Sequence, residues 1–262
     1  MFRRPCRMFR KPCRDPSASP FKPPGSSESP EHVKIKRKVY AEGTYKSVCK
    51  GRFIAGPRAG QACVAKTFRN PKYGSFAEQW AGERQAMRTA QQIVEAFNHA
   101  MVIKEELRVL APDIMTCDDG TGERRMVEPL IRRYVKNNNN AGWVNPSGDP
   151  WNLVMQALSH FSYHATGGRF LLCDVQGGSV GNVYSLTDLA VHSETAGRFG
   201  LTDNGKHGFV NFFKTHCCNS FCRPYWLKIE KPSGGPISTP CAPERKKPRW
   251  KVPARVGCHG IF

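Results

Sequence analysis

The chain of 262 residues contains no run of about 18 apolar residues, so a helix that spans a membrane is excluded. The first 14 residues are basic but lack an apolar core, so they do not form a secretory signal. Acidic residues are scarce: 21 Asp and Glu stand against 40 Lys and Arg, for a net charge of +19. Since 39% of the residues are hydrophobic, the chain as a whole is not a disordered protein.

The positive charge is concentrated at the two ends of the chain. Residues 1–38 carry a net charge of +8 and residues 231–262 carry +6, whereas the much longer segment 39–230 carries +5. Both ends are rich in proline and serine, and 1–7 and 8–14 are nearly identical repeats. We therefore expect two disordered basic tails around one folded domain at 39–230. The tails are either solvated or dock on an acidic partner, a membrane surface or nucleic acid. Because their aromatic residues are too sparse to form a base-stacking platform, we do not expect nucleic acid to be the partner.

The cysteine content predicts a reducing compartment. The chain has 11 cysteines, an odd number, and several of them have the spacing of metal ligands rather than of a disulfide framework. We expect an intracellular, cytoplasmic protein in which Cys6, Cys13, Cys241 and Cys258 of the tails are free thiols.

The hydrophobic pattern of the folded segment predicts an α+β chain with two lobes, strands dominating the first half and helices the second. Gly43, Gly51, Gly56 and Gly60 are interpreted as turns between the first strands. The predicted strands are 33–52, 62–68, 126–135 and 169–175, and the predicted helices are 78–98 and 151–163.

A dense group of metal-ligand residues lies near the end of the folded segment. His216, Cys218 and Cys222 form an H-x-C-x3-C pattern, and thiolates with imidazole are the ligands that zinc prefers. Cys217 has the wrong spacing, and His160 on the second predicted helix is a candidate fourth ligand. With four protein ligands the zinc is structural. The alternatives are buried or redox-active cysteines and, for His160, a hydrogen-bonded core histidine.

An acid and an amide follow the hydrophobic strand at 169–175. Asp174 and Gln176 are two residues apart, so they point to the same side of an extended chain, and Asp188 can add a second carboxylate. Mg²⁺ binds through one or two carboxylates and phosphate oxygens. The pattern indicates a magnesium–phosphate site; the alternative is a turn with Asp capping.

Lys66 is a lone charge within an apolar strand. Burying an ammonium group is costly unless it is paired, so a phosphate or a carboxylate is expected beside it. The alternative is a lysine on an edge strand that faces water.

Taken together, these residues resemble the alpha-kinase family of atypical protein kinases. The resemblance covers about residues 42–224, and its blocks follow the order that they have in the family. The matching stretches are VAKTFR (64–69), VEPLIRRYVKNNNNAGWV (127–144), QALSHFSYHATGGRFLLCDVQGG (156–178), YSLTDLAVHS (184–193) and FGLTDNGKHGFVNFFKTHCCNSFC (199–222).

The resemblance implies a role for each nucleotide-site position. Lys66 is similar to the lysine that contacts the ATP phosphates, and Lys46 stands where the family usually has an arginine near them. Glu128 resembles the hinge acid that accepts from the adenine amino group, with the backbone of Leu130 nearby. Asp174 resembles the catalytic aspartate.

The resemblance also implies the metal ligands. Gln176 and Asp188 match the magnesium ligands, and the four zinc ligands of the family match His160, His216, Cys218 and Cys222. Residues 200–208 resemble the glycine-rich loop near the peptide site, although they also suit an ordinary glycine loop. One departure is that about four extra residues lie within 178–185, and Asp188 must reach the metal across this longer loop.

The implied activity is a protein serine/threonine kinase of the alpha-kinase type, with a two-lobed kinase-like fold and a structural zinc in the C-terminal lobe. ATP, Mg²⁺ and Zn²⁺ are the implied cofactors, and a protein with a Ser or Thr acceptor is the implied partner. The alternatives are a zinc-stabilised basic nucleic-acid-binding protein and an inactive scaffold protein.

Overall fold

A computed structural model describes residues 31–75, 77–116, 123–180 and 183–229. Most of both predicted tails, with the repeat and the four tail cysteines, lies outside the described residues. No helix in the described ranges is both long and apolar enough to cross a membrane.

The N-terminal lobe is an antiparallel sheet of five strands in the order β1-β2-β3-β6-β5. The hairpin between β1 and β2 turns at Gly43, whose N–H donates to the carbonyl of Lys46 at 2.8 Å. The strands are β1 (His32–Glu42), β2 (Lys46–Ala55), β3 (Ala62–Phe68), β5 (Asp113–Thr116) and β6 (Arg124–Pro129).

Two expectations for this sheet need correction. Because β1 begins at His32, residues 32–38 belong to a strand rather than to the tail. Gly51 is not a turn residue but lies inside β2, where a Cβ would come within 2.7 Å of the carbonyl of Lys34. Glycine is required there because the backbone of β1 approaches closely, not because the chain reverses.

Two helices follow β3, the short α1 (Pro71–Ser75) and the long α2 (Ala77–His99). The prediction of a helix over 78–98 is confirmed. Its apolar stripe is buried: Ala90 and Phe97 are fully inaccessible to solvent, and Phe97 packs edge-to-face on Phe161 with ring centroids 5.3 Å apart. This stripe joins the largest hydrophobic core among the described residues.

The second half of the chain contains five described strands, so strands continue there beside the helices and the expectation that helices take over holds only in part. The sheet β4-β10-β9-β7 and the pair β11-β8 pack around α3. The predicted strand at 126–135 is in fact two strands, β6 and β7, separated by a non-strand segment. These elements are β4 (Glu106–Val109), β7 (Val135–Lys136), β8 (Phe170–Cys173), β9 (Gln176–Val180), β10 (Val183–Leu186), β11 (Ala190–Ser193) and α3 (Pro150–Ala165).

The helix α3 is the centre of this lobe and confirms the prediction at 151–163. Asp149 caps its N-terminus by accepting a hydrogen bond from the N–H of Trp151, and Pro150 occupies the first turn, where no donor is lost. Nearly every residue from Asn152 to Ser162 is buried, including polar ones. A helix buried on all sides can hold polar side chains only if each finds a partner, so α3 is a platform for fixed polar groups.

The last helix, α4 (Lys206–Thr215), packs against β11. At Gly208 a Cβ would lie 2.3 Å from the ring of the buried His192, so glycine lets the helix approach the strand. Phe209, Phe212 and Phe213 fill the space beneath α4. The helix ends at Thr215, and its C-cap is His216, the first of the predicted metal ligands in this segment.

Candidate active site and metal centre

A cavity of about 630 Å³ lies between the N-terminal sheet and the β7–β9–β10 region. Strand ends and loops of both lobes line it, as expected for a cleft that binds a ligand between two lobes. All of the predicted nucleotide and magnesium residues line this one cavity: Lys46, Lys66, Glu128, Leu130, Asp174, Gln176 and Asp188.

Lys66 is buried and paired at the back of the cavity. Its Nζ lies 2.8 Å from Oε1 of Glu128 and donates to Oγ1 of Thr187 at 3.0 Å. Thr187 in turn donates to Glu128 at 2.7 Å. Because β3 lies between β2 and β6, Lys66 is not on an edge strand, and the alternative of a water-facing lysine is excluded.

Lys46 connects the first strands to the cavity. Its Nζ donates to Glu83 of α2 at 2.9 Å and to Oδ1 of Asp188 at 3.1 Å. Burial alone would lower the pKa of Lys46, but the carboxylates of Asp188 and Glu83 outweigh burial and hold the pKa above its ordinary value. A permanent cation therefore faces the cavity from this strand.

Gln176 and Asp188 are brought together by the hairpin of β9 and β10. Gly177 pairs with Leu186 in this hairpin, and Nε2 of Gln176 donates to the carbonyl of Asp188 at 3.0 Å. The strands β9 and β10 pair from Gly177 with Leu186 to Val180 with Val183, so the connection between them does not separate Gln176 from Asp188. Asp188 thus lies beside Gln176 despite the longer connection.

Both cavity aspartates have left-handed backbones, with φ of 52° for Asp174 and 54° for Asp188. This conformation is uncommon outside glycine, and Asp and Asn tolerate it best. It aims each carboxylate out of the strand direction and into the cavity, and such backbone strain is concentrated at functional sites.

The two aspartates differ in electrostatic surroundings. Burial would raise the pKa of Asp188, but the ammonium groups of Lys46 and Lys66 hold it below the ordinary value. Burial raises the pKa of Asp174, and Lys136, whose Nζ lies 2.8 Å from Oδ1, only partly offsets this. The carboxylate of Asp188 is therefore held more firmly in its ionised form, and the carboxylate of Asp174 accepts a proton more readily.

The sequence did not single out several cavity residues. Lys136 pairs with Asp174, Tyr134 donates its hydroxyl to Oε1 of Gln176, and Glu83 and Thr187 hold the two lysines. The position of Thr187 directly before Asp188 is a signal for that residue. For Glu83 the helical pattern gives a helix face but no partner, so only the structure reveals its role.

The four predicted zinc ligands converge on one point. Nδ1 of His160 lies 3.2 Å from Nε2 of His216 and 3.6 Å from Sγ of Cys218, and Sγ of Cys222 lies 3.7 Å from Nε2 of His216. All four donor atoms lie within 4.8 Å of one another. Cys217 is not a member of the group, as its spacing predicted.

The surroundings of this cluster fix the two histidines. Nε2 of His160 is 3.1 Å from the carbonyl of Leu227 and donates to it, so Nδ1 carries the lone pair that faces the cluster. Burial lowers the pKa of His160 to about 4 and that of His216 to about 3, so both rings are neutral. The predicted alternative of an ordinary core histidine does not explain why Nδ1 faces three other ligand atoms.

The glycine-rich segment at 200–208 is organised by one buried carboxylate. Asp203 accepts from the N–H groups of Ser193, Phe199 and Gly205 at 2.9–3.2 Å and from the hydroxyl of Ser193 at 2.8 Å. The preceding residue, Thr202, lines the cavity. The segment is therefore a fixed wall of the cleft rather than a loose loop.

The chain is similar in sequence to known protein kinases. Myosin heavy chain kinase B of Dictyostelium discoideum is 29% identical over 223 residues, which is 79% of this chain and 28% of the relative. Human eukaryotic elongation factor 2 kinase is 39% identical over 95 residues, or 36% of this chain and 12% of the relative. The chain thus spans less than a third of the length of these relatives.

Solved structures of alpha-kinase domains have the same fold as this chain. An alpha kinase from Entamoeba histolytica superposes with a TM-score of 0.63 at 23% identity, covering 76% of this chain and 80% of the other. The alpha-kinase domain of myosin heavy chain kinase A, in complex with ADP, superposes with a TM-score of 0.62 at 22% identity, covering 72% and 86%. The model of the alpha-kinase family matches residues 41–222, and the chain belongs to that family.

Proposed function

We propose that the chain is an ATP-dependent protein kinase that transfers the γ-phosphate of ATP to Ser or Thr of a protein substrate. The observation that carries the proposal is the convergence of two lysines, a hinge acid and an acid–amide–acid set on one cavity between two lobes. Phosphoryl transfer depends on positioning and charge neutralisation, and these side chains supply both.

Lys66 and Lys46 are assigned to the phosphates of ATP. Both ammonium groups line the cavity, and both are held by carboxylates, so their direction is fixed before ATP arrives. Glu128 keeps lone pairs beyond those used by Lys66 and Thr187, because a carboxylate offers about four acceptor sites. It can therefore accept from the adenine amino group next to Leu130, whose N–H is already donated to the carbonyl of Ala62.

Gln176 and Asp188 are assigned to Mg²⁺. Their oxygens are the hard donors that Mg²⁺ prefers, and the low pKa of Asp188 keeps its carboxylate ionised. When bound there, the ion would supply positive charge that offsets the negative charge of the phosphates. Tyr134 and the carbonyl of Asp188 fix the two ends of the Gln176 amide, so that its oxygen faces the cavity.

Asp174 is assigned as the proton acceptor. The oxygen of the substrate hydroxyl bonds to the γ-phosphorus, the bond from that phosphorus to the bridging oxygen of ATP breaks, and the hydroxyl proton passes to Asp174. The raised pKa of Asp174 favours this role. Lys136 holds the carboxylate in place through the ion pair at 2.8 Å.

We also infer a structural zinc on His160, His216, Cys218 and Cys222. Zn–N bonds of about 2.0 Å and Zn–S bonds of about 2.3 Å place tetrahedral ligand atoms about 3.3 to 3.8 Å apart. The three distances of 3.2, 3.6 and 3.7 Å agree with that geometry. Such an ion would join α3 to the segment after α4, with the carbonyl of Leu227 orienting His160 from behind.

A transfer assay tests the proposed activity. The full chain is incubated with Mg²⁺ and γ-labelled ATP, with dephosphorylated casein and myelin basic protein as acceptors. We expect label on Ser or Thr with the unaltered chain, none with Lys66→Ala, and normal transfer with Lys104→Ala, an exposed lysine outside the cavity. A nucleic-acid-binding protein or an inactive scaffold would transfer no label with any of the three.

A further inference from the structure

A rigid polar loop borders the mouth of the cavity. In residues 137–145, the side chain of Asn138 accepts from the N–H of Val175 and donates to Ser159, and Asn139 accepts from the N–H groups of Ala141 and Trp143. A loop held by so many side-chain bonds presents its exposed residues at fixed positions.

The residue that this loop presents is Trp143, whose surface is 46% exposed. Its backbone exchanges hydrogen bonds with Asn139, which lines the cavity together with Asn140. Asn140 donates to the carbonyl of Thr202 on the opposite wall. A large indole held next to a catalytic cleft and left half-exposed is placed to meet something that approaches the cleft.

The loop lies against α4. The carbonyl of Gly142 accepts from Thr215, and the α-carbon of Gly142 lies so close to Asn211 that a Cβ would be 2.7 Å from its carbonyl oxygen. On this helix Lys206, Val210 and Lys214 are all exposed and follow one another every four residues, so they form one stripe.

The stripe carries the positive charge of Lys206 and Lys214, and neither the stripe nor the uncharged loop supplies an exposed counter-charge. The segments 137–148 and 198–215 contain a single acid, Asp203, which is buried and hydrogen-bonded to backbone N–H groups and to the hydroxyl of Ser193. Among the described residues, no carboxylate pairs with Lys206 or Lys214 within 4.0 Å. The basic ends of this chain, with +8 and +6, would be repelled by such a surface.

We propose that the Trp143–α4 surface, formed by Trp143, Lys206, Val210 and Lys214, docks the protein substrate. The occupant is a segment of the substrate that places an apolar side chain on Trp143 and Val210 and acidic side chains on the two lysines. This inference rests on the proposed kinase activity and adds the substrate class: acceptor sites with acidic and apolar neighbours.

The test compares the full chain with two altered forms, Trp143→Ala and the double variant Lys206→Glu/Lys214→Glu. Tyr225→Ala, an exposed aromatic outside the cavity, and Lys104→Glu, an exposed lysine elsewhere, are the matched controls. For each form, KM and kcat are measured with dephosphorylated casein, which is acidic, and with myelin basic protein, and KM is measured for ATP. Thermal melting establishes that every form is folded.

We expect Trp143→Ala to raise KM for casein about tenfold or more, the loss typical of a buried aromatic anchor, with KM for ATP unchanged. The double lysine variant should raise KM for casein and lower it for myelin basic protein, while both controls match the unaltered chain. Unchanged kinetics in Trp143→Ala and the double variant would overturn the docking proposal alone. Absence of transfer by the unaltered chain would overturn the kinase proposal, and this proposal with it.

Discussion

The cavity and the His/Cys cluster both gather buried polar side chains, but they are organised in opposite ways. In the cavity Lys66 forms ion pairs with Glu128 and Asp188, and all three side chains line the open space. In the cluster the histidines are neutral, and the donor atoms face one another. Charged groups that face a cavity suit a ligand that binds and dissociates, whereas ligand atoms that face one another suit the resident zinc that we propose.

The cavity and the cluster also differ in the structural elements that supply their residues. The cavity residues come from strand ends of both lobes, so they respond to the relative position of the lobes. The cluster residues come from α3 and from the segment after α4, both in the C-terminal part of the chain. We therefore expect damage to the cluster to remove the fold, and damage to the cavity to remove activity first.

The largest expected effect is at the cluster. Cys222→Ala should leave the chain unfolded, because structural zinc contributes about 10–16 kcal/mol in small zinc domains, as much as the whole stability of a typical protein. Circular dichroism and zinc content measure this. Cys217→Ala, a cysteine of the same segment outside the cluster, is the control and should fold with one zinc per chain. A folded and zinc-free Cys222→Ala protein would show that the cluster needs no metal.

A smaller effect is expected at the back of the cavity. Lys66→Met leaves Glu128 buried without its ammonium partner, which should lower the free energy of unfolding by about 3–5 kcal/mol. The double variant Lys66→Met/Glu128→Gln removes both charges and should recover most of that stability, but no transfer activity. Urea unfolding and the transfer assay separate the two effects. If the double variant were as unstable as the single one, the pair would not be the source of the loss.

The smallest effect is a gain of stability at Asp174. Because its folded pKa is raised, the ionised carboxylate is disfavoured in the folded state above that pKa, and the disadvantage disappears as the pH falls below the ordinary value of 3.8. Asp174→Asn should therefore raise Tm slightly at pH 7 and leave it unchanged near pH 3, since Asn also suits a φ of 52°. A lower Tm at pH 7 would contradict this account of Asp174.

Local patterns were enough to predict the helices α2 and α3, because their apolar stripes repeat with the helical period and both stripes are buried. They failed at Gly51, since the approach of β1 to β2 is a contact between strands that the surrounding residues do not encode. The strands of the second half were missed in part because they are short, at two residues in β7 and four or five in β8 to β11, and this is too few for a clear alternation.

The candidate site, like the fold, could be predicted from the sequence only in part. The residue types at Asp174, Gln176, Asp188 and the cysteines indicate metal and phosphate chemistry. His160 was a candidate ligand, and the family resemblance supported that choice. The partners that tune these groups were not visible, because Glu83 and Lys136 meet them only through the fold: Glu83 is 105 positions from Asp188 along the chain and shares Lys46 with it. Electrostatics depends on such long-range neighbours, so pKa shifts could not be predicted from sequence.

The most direct test of the account is the rate of γ-phosphate transfer by Asp174→Asn together with its affinity for ATP. We expect transfer from Mg²⁺-ATP to casein to fall to background, because Asn cannot accept the proton. The affinity for ATP should stay within about threefold, because Lys46, Lys66 and Asp188 are intact. Transfer by Asp174→Asn at the rate of the unaltered chain would contradict the assignment of this cavity as the catalytic site.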